Sequence, residues 1–197
     1  SRLDAELARV DAEPVDVLRL AETVVDVANS IRSGEQIKTH LIRGEGLSSP
    51  QAATIIGYDS RLGQVLNNLI DNAKSFSEPH GEIRVTVTRE RDAIIITVDD
   101  DGPGVPSHAF EKIFNRFYTD RPNGGFGENS GLGLSISRQI IEAHRGRIWA
   151  ENRVSAQGQV EGAPRAGRKE LGSFRAQRLL GAKRAGRCRG DHPRGDS

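Results

Sequence analysis

The stretch Gln64-Val-Leu-Asn-Asn-Leu-Ile-Asp-Asn-Ala-Lys-Ser-Phe76 decides how this chain is read. Leu62, Val65, Leu69 and Ala73 recur at helical spacing and so form the apolar face of a helix. Asn68 and Asn72 stand four residues apart, one above the other on a single face. A carboxamide both donates and accepts, so two stacked amides suit a hydrated cation together with phosphate oxygens. Taken alone, such a pair is more often solvated or capping. A second run, Val98-Asp-Asp-Asp-Gly-Pro-Gly-Val105, ends an apolar strand in carboxylates and glycines. An acidic group beside backbone that needs Gly suits a base edge or a metal, although Asp-Gly after a strand is ordinarily a turn.

The order of these runs along the chain narrows the alternatives. Asn72, then Asp101-Gly-Pro-Gly104, then Phe114-Asn-Arg-Phe-Tyr118, then Ser130-Gly-Leu-Gly-Leu134 resembles the ATP-binding domain of sensor histidine kinases. These runs match its N box, first glycine box, F box and second glycine box. The resemblance covers about residues 15–153. The wording Asn72-Ala-Lys-Ser-Phe-Ser77 and Phe117-Tyr-Thr-Asp-Arg-Pro122 is similar to envelope-stress sensor kinases of the ChvG/ExoS type.

The resemblance implies an α+β fold: a two-layer α/β sandwich of the Bergerat kind, a mixed sheet with helices on one face and a flexible ATP lid. It implies ATP and Mg²⁺ as cofactors. Asp101 would accept a hydrogen bond from the adenine amino group, and Gly102 and Gly104 would let the backbone approach the base. Asn72 would give an oxygen to Mg²⁺ bridging the phosphates, with Asn68 assisting. Gly131, Leu132 and Gly133 would open the last helix, whose amide-rich N-terminus favours phosphates. Tyr118 would lie over the adenine-side pocket. Arg116 and Arg121 are both candidates for the γ-phosphate, because many relatives carry a basic residue where Thr119 stands.

ATP-hydrolysing members of the wider superfamily place a Glu four residues before the metal Asn. Here that position is Asn68, which cannot act as a base, so the nucleophile should arrive already competent, as a neutral imidazole does. That histidine is missing. His40, His80, His108, His144 and His192 all lack a His-Glu-Leu-Arg-Thr-Pro-like context and read as surface or loop residues without metal-ligand spacing. The expected function is therefore the catalytic fragment of a two-component histidine kinase, inactive in isolation. It would pass the ATP γ-phosphoryl group to a histidine on a dimerisation domain supplied elsewhere. The implied partners are that domain, a second copy in an intact homodimer and, indirectly, a response regulator, with no nucleic acid. The alternative is an inactive nucleotide-binding module from a truncated or frameshifted gene.

Composition sets the limits of this reading. At 197 residues the chain is long enough for one well-packed domain plus appendages. It holds no Met and opens on Ser1, which reads as a fragment of a longer product. No apolar run reaches the length of a membrane span and no signal peptide is visible. The single Cys188 excludes an internal disulfide and a cysteine metal site, in keeping with a reducing, cytoplasmic setting. By resemblance, the intact kinase would be anchored in the bacterial inner membrane. The net charge of +1 hides an asymmetry: residues 161–197 carry 10 Lys and Arg against 4 Asp and Glu.

Three regions follow. Residues 1–14, with the stripe Leu3, Leu7 and Val10, read as the end of a dimerisation helix and a linker. Residues 15–160 read as the ATP-binding domain. Its expected elements are a helix over Val17–Ile31 capped by Asp16, strands at Gln36–Ile42 and Ala52–Ile56, and the Asn-bearing helix capped by Asp59. There follow strands at Ile83–Val87 and Ala93–Val98, a short helix over Pro106–Phe117, the lid over Thr119–Ser130, a helix over Leu132–His144 and a strand over Gly146–Glu151. Residues 161–197 show no hydrophobic period and read as a disordered tail, out of frame with the family's last strand and never selected to fold. A nucleic-acid-binding tail is the runner-up, weakened because Phe174 is its only aromatic.

Overall fold

The computed structural model describes residues 11–30, 37–77, 79–102, 104–118, 131–154 and 170–180. Helix α1 (Val17–Ser30) begins where Asp16 Oδ1 accepts from the Arg19 N–H at 3.1 Å, the expected cap. Its buried stripe is Val17, Ala21, Val24, Val25 and Ala28, while Leu18 is only partly buried at the stripe's edge. Helix α2 (Asp59–Phe76) buries Leu62, Val65, Leu66, Leu69, Ile70 and Ala73, so the apolar face expected of it is the face it hides. Tyr58, not Asp59, takes its N-cap position and makes no side-chain cap bond there. Asp59 instead places a negative charge in the first turn, where the helix dipole favours it. Helix α3 (Gly133–Ala143) packs on the other flank of α2, which therefore lies between α1 and α3. Lys74 Nζ reaches across from α2 to the Ala28 carbonyl at 2.6 Å, setting a positive charge on the C-terminal end of α1.

The three helices cover one face of a five-stranded mixed sheet. Its strands are β2 (Lys38–Arg43), β4 (Glu82–Glu90), β5 (Ala93–Asp99), β6 (Arg147–Val154) and β7 (Glu170–Leu180), in the order β2-β4-β5-β7-β6. The β2–β4 pair is parallel and every other pair antiparallel. Ile83, Val85 and Val87 of β4 and Ile94, Ile96 and Val98 of β5 are buried at alternate positions, with Val85 opposite Val98 and Val87 opposite Ile96. This period-two pattern places six branched apolar side chains under the helices. A separate antiparallel ribbon joins β1 (Glu13–Asp16), which the sequence reading missed, to β3 (Thr54–Gly57).

Two expectations are corrected here. Pro106–Phe117 is not one short helix but two 3₁₀ turns, Ser107–Ala109 and Lys112–Phe114. The structureless tail is overturned over Glu170–Leu180, which forms β7 between β5 and β6. A strand at that place gives backbone partners to the facing edges of both neighbours, which would otherwise be unpaired. Strict alternation would set Arg178 opposite Ile94. A bulge between Ile94 and Ile95 skips Arg178, so that Phe174, Ala176 and Leu179 stand opposite Val98, Ile96 and Ile94. The stripe at Leu3, Leu7 and Val10, the rest of the tail and the lid expected over Thr119–Ser130 lie outside the described residues.

Candidate functional site

Helix α2 is the spine of the site. Asn68, Asn72 and Phe76 follow at steps of four and share one face. At its far end the glycine turn after β5 is pressed against the helix. A Cβ on Gly102 would lie 2.8 Å from the Phe76 carbonyl oxygen and 2.7 Å from Asp100 Oδ1, so no larger residue fits without displacing backbone. One helical turn nearer the N-terminus than Asn72, Asn68 Nδ2 donates to the Gly133 carbonyl at 3.1 Å and meets Ser137 Oγ at 3.2 Å. The amide expected to assist at the phosphates thus fastens the first turn of α3 to α2. Asn72 lies between these two contacts, half-buried. Among the described residues no hydrogen bond engages its carboxamide.

The acid at the strand end resolves into two different environments. Asp100 is 4 % exposed, and its Oδ1 accepts from the Gly102 N–H at 2.8 Å. Asp101, the carboxylate singled out from the sequence, is 37 % exposed and paired with Arg84 of β4 at 3.3 Å. Its other oxygen takes the Glu82 N–H at 3.4 Å. Arg84 also approaches Glu82 at 3.7 Å. Asp101 therefore holds the turn to the neighbouring strand, while Asp100 stands inside it beside the helix. A signal for this was present in the sequence: Ile94, Ile96 and Val98 set the parity of the buried face, and Asp100, not Asp101, continues it. Gly104, at φ +77°, adopts the left-handed conformation that closes the turn.

The F box and second glycine box meet at Phe117 and Gly131. The Phe117 N–H donates to the Gly131 carbonyl at 3.1 Å, and both residues are left-handed, at φ +63° and +64°. A Cβ on Gly131 would stand 3.0 Å from the Phe117 backbone and the Tyr118 carbonyl, which explains the glycine. Phe114 is buried with the Arg138 guanidinium 5.5 Å from its ring centre, and Arg138 pairs with Glu111 and Glu142. Phe117 is 73 % exposed. Tyr118 is half-buried, and its N–H donates to the Asn115 carbonyl at 3.3 Å. Leu132 occupies the N-cap of α3, its carbonyl accepting from Ser135 Oγ and the Ile136 N–H. Arg116 is exposed, and Arg121 lies outside the described residues.

What could be held here follows from the donor chemistry. Among the described residues no three His, Cys, Asp or Glu side chains come together as a metal cluster. A hard cation bridging phosphate oxygens needs few protein ligands, and the Asn72 amide oxygen is of the right kind. The glycine turn is closed to any Cβ at Gly102 and places that residue beside the buried Asp100 carboxylate. His144, read as a surface residue, is half-buried away from this face. Its Nε2 accepts the Tyr58 N–H at 3.1 Å and its Nδ1 donates to the Ile140 carbonyl at 2.7 Å. Loss of hydration on burial pulls its pKa below the ordinary imidazole value.

A helix carrying stacked asparagines, a glycine turn beside a buried aspartate and a second glycine pair opening α3 define one class of nucleotide-binding fold. Residues 57–166 match the family described as histidine kinase-, DNA gyrase B- and HSP90-like ATPases, and the chain belongs to that family. Within it, the chain is 46% identical over 166 residues to the sensor protein ChvG of Agrobacterium fabrum, covering 83% of this chain and 28% of that protein. It is 48% identical over 166 residues to ChvG of Rhizobium meliloti, covering 83% of this chain and 29% of that one. The chain thus spans under a third of the length of these relatives. Among solved structures, the catalytic domain of histidine kinase ThkA superposes with a TM-score of 0.67 at 25% identity, covering 87% of this chain and 97% of that one. The mycobacterial sensor histidine kinase MprB shares the fold, with a TM-score of 0.66 at 23% identity over 86% of this chain and 97% of its own.

Proposed function

We propose that this chain is the ATP-binding, phosphoryl-donating part of a sensor histidine kinase. It would carry the γ-phosphoryl group of Mg-ATP to a histidine on a dimerisation segment of the longer protein. One observation carries the proposal: on a single face of α2, Asn72 stands between Asn68, bonded to the first turn of α3, and Phe76, against which Gly102 packs. A nucleotide laid along that face has its base at the glycine turn and its phosphates toward the start of α3. Asp100, the buried carboxylate, is the base acceptor in this reading in place of Asp101, and Gly102 and Gly104 admit the ring. Tyr118 borders the base. The backbone at Gly131, Leu132 and Gly133 receives phosphate oxygens, as helix N-termini do. Asn72 offers its oxygen to the metal, which when bound neutralises phosphate charge. Arg116 and Arg121 remain the two candidates for the γ-phosphate.

Among the described residues, the position one helical turn before Asn72 offers no base for water. Asn68 is an amide whose NH₂ group is committed to Gly133 and Ser137, so the attacking group must be nucleophilic without deprotonation, as a neutral imidazole is. This favours transfer to histidine over hydrolysis. ThkA has been solved in complex with the response regulator protein TrrA. For this chain we place the response regulator downstream of the phosphohistidine and homodimerisation in the absent segment. Membrane anchoring is likewise assigned to the longer protein; no helix among the described residues is long and apolar enough to cross a membrane. The alternative is an inactive nucleotide-binding module from a truncated or frameshifted gene, which the labelling of a separate hairpin below discriminates.

The test is calorimetry of the chain with ATP, with and without Mg²⁺, followed by mixing with a separately made dimerisation hairpin and labelled ATP. Binding of ATP and acid-labile label on the hairpin are expected. The absence of binding, or label on one of this chain's own histidines, overturns the proposal.

A further inference from the structure

The glycine turn leaves β5 and reaches toward β6 across the end of β7, and it is there that a residue outside every recognised box takes hold of it. Asn152 lies in β6, opposite Gly172 of β7. Its Oδ1 accepts the Val105 N–H at 2.8 Å, and its Nδ2 donates to the Val105 carbonyl at 2.7 Å. One side chain thus satisfies both backbone groups of a residue 47 positions away, as a neighbouring strand would. The opposite end of the turn is held separately, through Asp101 to Arg84 and the Glu82 N–H. Between the two pins lie Gly102 and Gly104. Glycine backbone loses more freedom on ordering than any other, so a turn with two of them keeps one shape only if its ends are fixed.

We infer that Asn152 is a positioning residue for the nucleotide: it fixes the exit of the glycine turn in the shape that receives the base, without touching the ligand. The inference rests on the assignment of that turn to the base. Its chemistry is bidentate. An aspartate would keep the acceptor but set an oxygen against the Val105 carbonyl, and a serine is too short to reach both groups. An internal control exists in the fold. Asn29 of α1 makes the same pair of bonds to Thr39 of β2, with Oδ1 2.9 Å from the Thr39 nitrogen and Nδ2 2.8 Å from its carbonyl. The pair of backbone bonds is the same and the place different.

The experiment compares the full chain with Asn152→Ala, Asn152→Asp and Asn29→Ala, below the melting transition of each. ATP and ADP affinities are measured by calorimetry and amide exchange at Gly102, Gly104 and Val105 in the free protein. Loss of the clamp should weaken ATP and ADP alike by roughly ten-fold, because it acts at the base end and not at the γ-phosphate. Asn152→Asp should weaken them at least as much, and exchange at the three amides should accelerate in both variants. Asn29→Ala should lower the melting temperature while leaving both affinities within about two-fold. Unchanged affinity in Asn152→Ala overturns the inference alone, as does an equal loss of affinity in Asn29→Ala. Failure of the native chain to bind either nucleotide overturns the assignment of the turn, and this inference with it.

Discussion

Strands β5 and β7 lie side by side in one sheet and are specified in opposite ways. β5, Ala93 to Asp99, carries its own instruction: Ile94, Ile96 and Val98 alternate toward the helices and are at most 5 % exposed. β7, Glu170 to Leu180, has no clean alternation and comes from a basic, glycine-rich segment that reads as structureless. It is nevertheless paired along both edges, and a bulge corrects its register against β5. A strand can therefore be fixed by its own period or by the unsatisfied edges of its neighbours. Only the first kind is visible locally.

The largest effect should come from ending the chain after Lys169. If β7 were a passive passenger, stability would be unchanged. With both ladders lost, we expect a drop of about 5 kcal/mol or more, comparable to the whole stability of an ordinary domain. The cooperative thermal transition should vanish and the opened edges of β5 and β6 should drive association. Calorimetric scanning and light scattering check this, and an unaltered melting curve would return residues 170–180 to the status of a tail.

The next effect tests whether the parity of β5 continues past its end. Asp100→Asn should weaken ATP binding roughly ten- to a hundred-fold, as loss of a charge-assisted bond of about 1.5–3 kcal/mol implies. Asp101→Asn should cost only a few-fold, because Asp101 is half-exposed and turned toward Arg84. The reverse ranking would mean that the inward parity stops at Val98.

The smallest effect concerns His144, where an element's end is set by its neighbours. The imidazole must stay neutral for Nε2 to accept the Tyr58 N–H, and burial lowers its pKa from 6.5. The unfolded chain therefore takes up the proton first as pH falls, so the contribution of His144 is complete above pH 6.5 and is lost below it as the folded-state pKa is approached. Stability should decline by up to ~1 kcal/mol over the first unit below that point. In His144→Gln that part of the slope should be absent. Chemical unfolding across the pH range measures both.

Much of the fold was legible because its helices are amphipathic at fixed spacing. The buried face of α2 and the Asp16 cap of α1 are where periodicity and capping chemistry put them. The site was legible to the level of its boxes, and less so at single residues. Three consecutive aspartates offer identical chemistry, and only their orientation at the strand end separates Asp100 from Asp101. The 3₁₀ turns over 107–114 escaped because two brief apolar repeats look like one helical turn at that length. Asn152 escaped for another reason: nothing in Ala150-Glu-Asn152 announces a partner 47 residues earlier.

By itself, the sequence determined the helices, the strands β4 and β5 and the kinship of the nucleotide boxes, because each is written in side chains that act over a few residues. Tertiary structure alone decided that Asn68 fastens α3 to α2, that Asn152 closes the glycine turn and that β7 completes the sheet. Those outcomes depend on backbone donors and acceptors, which every residue but proline carries in the same form. Their pairing is chosen by what the folded neighbours leave open.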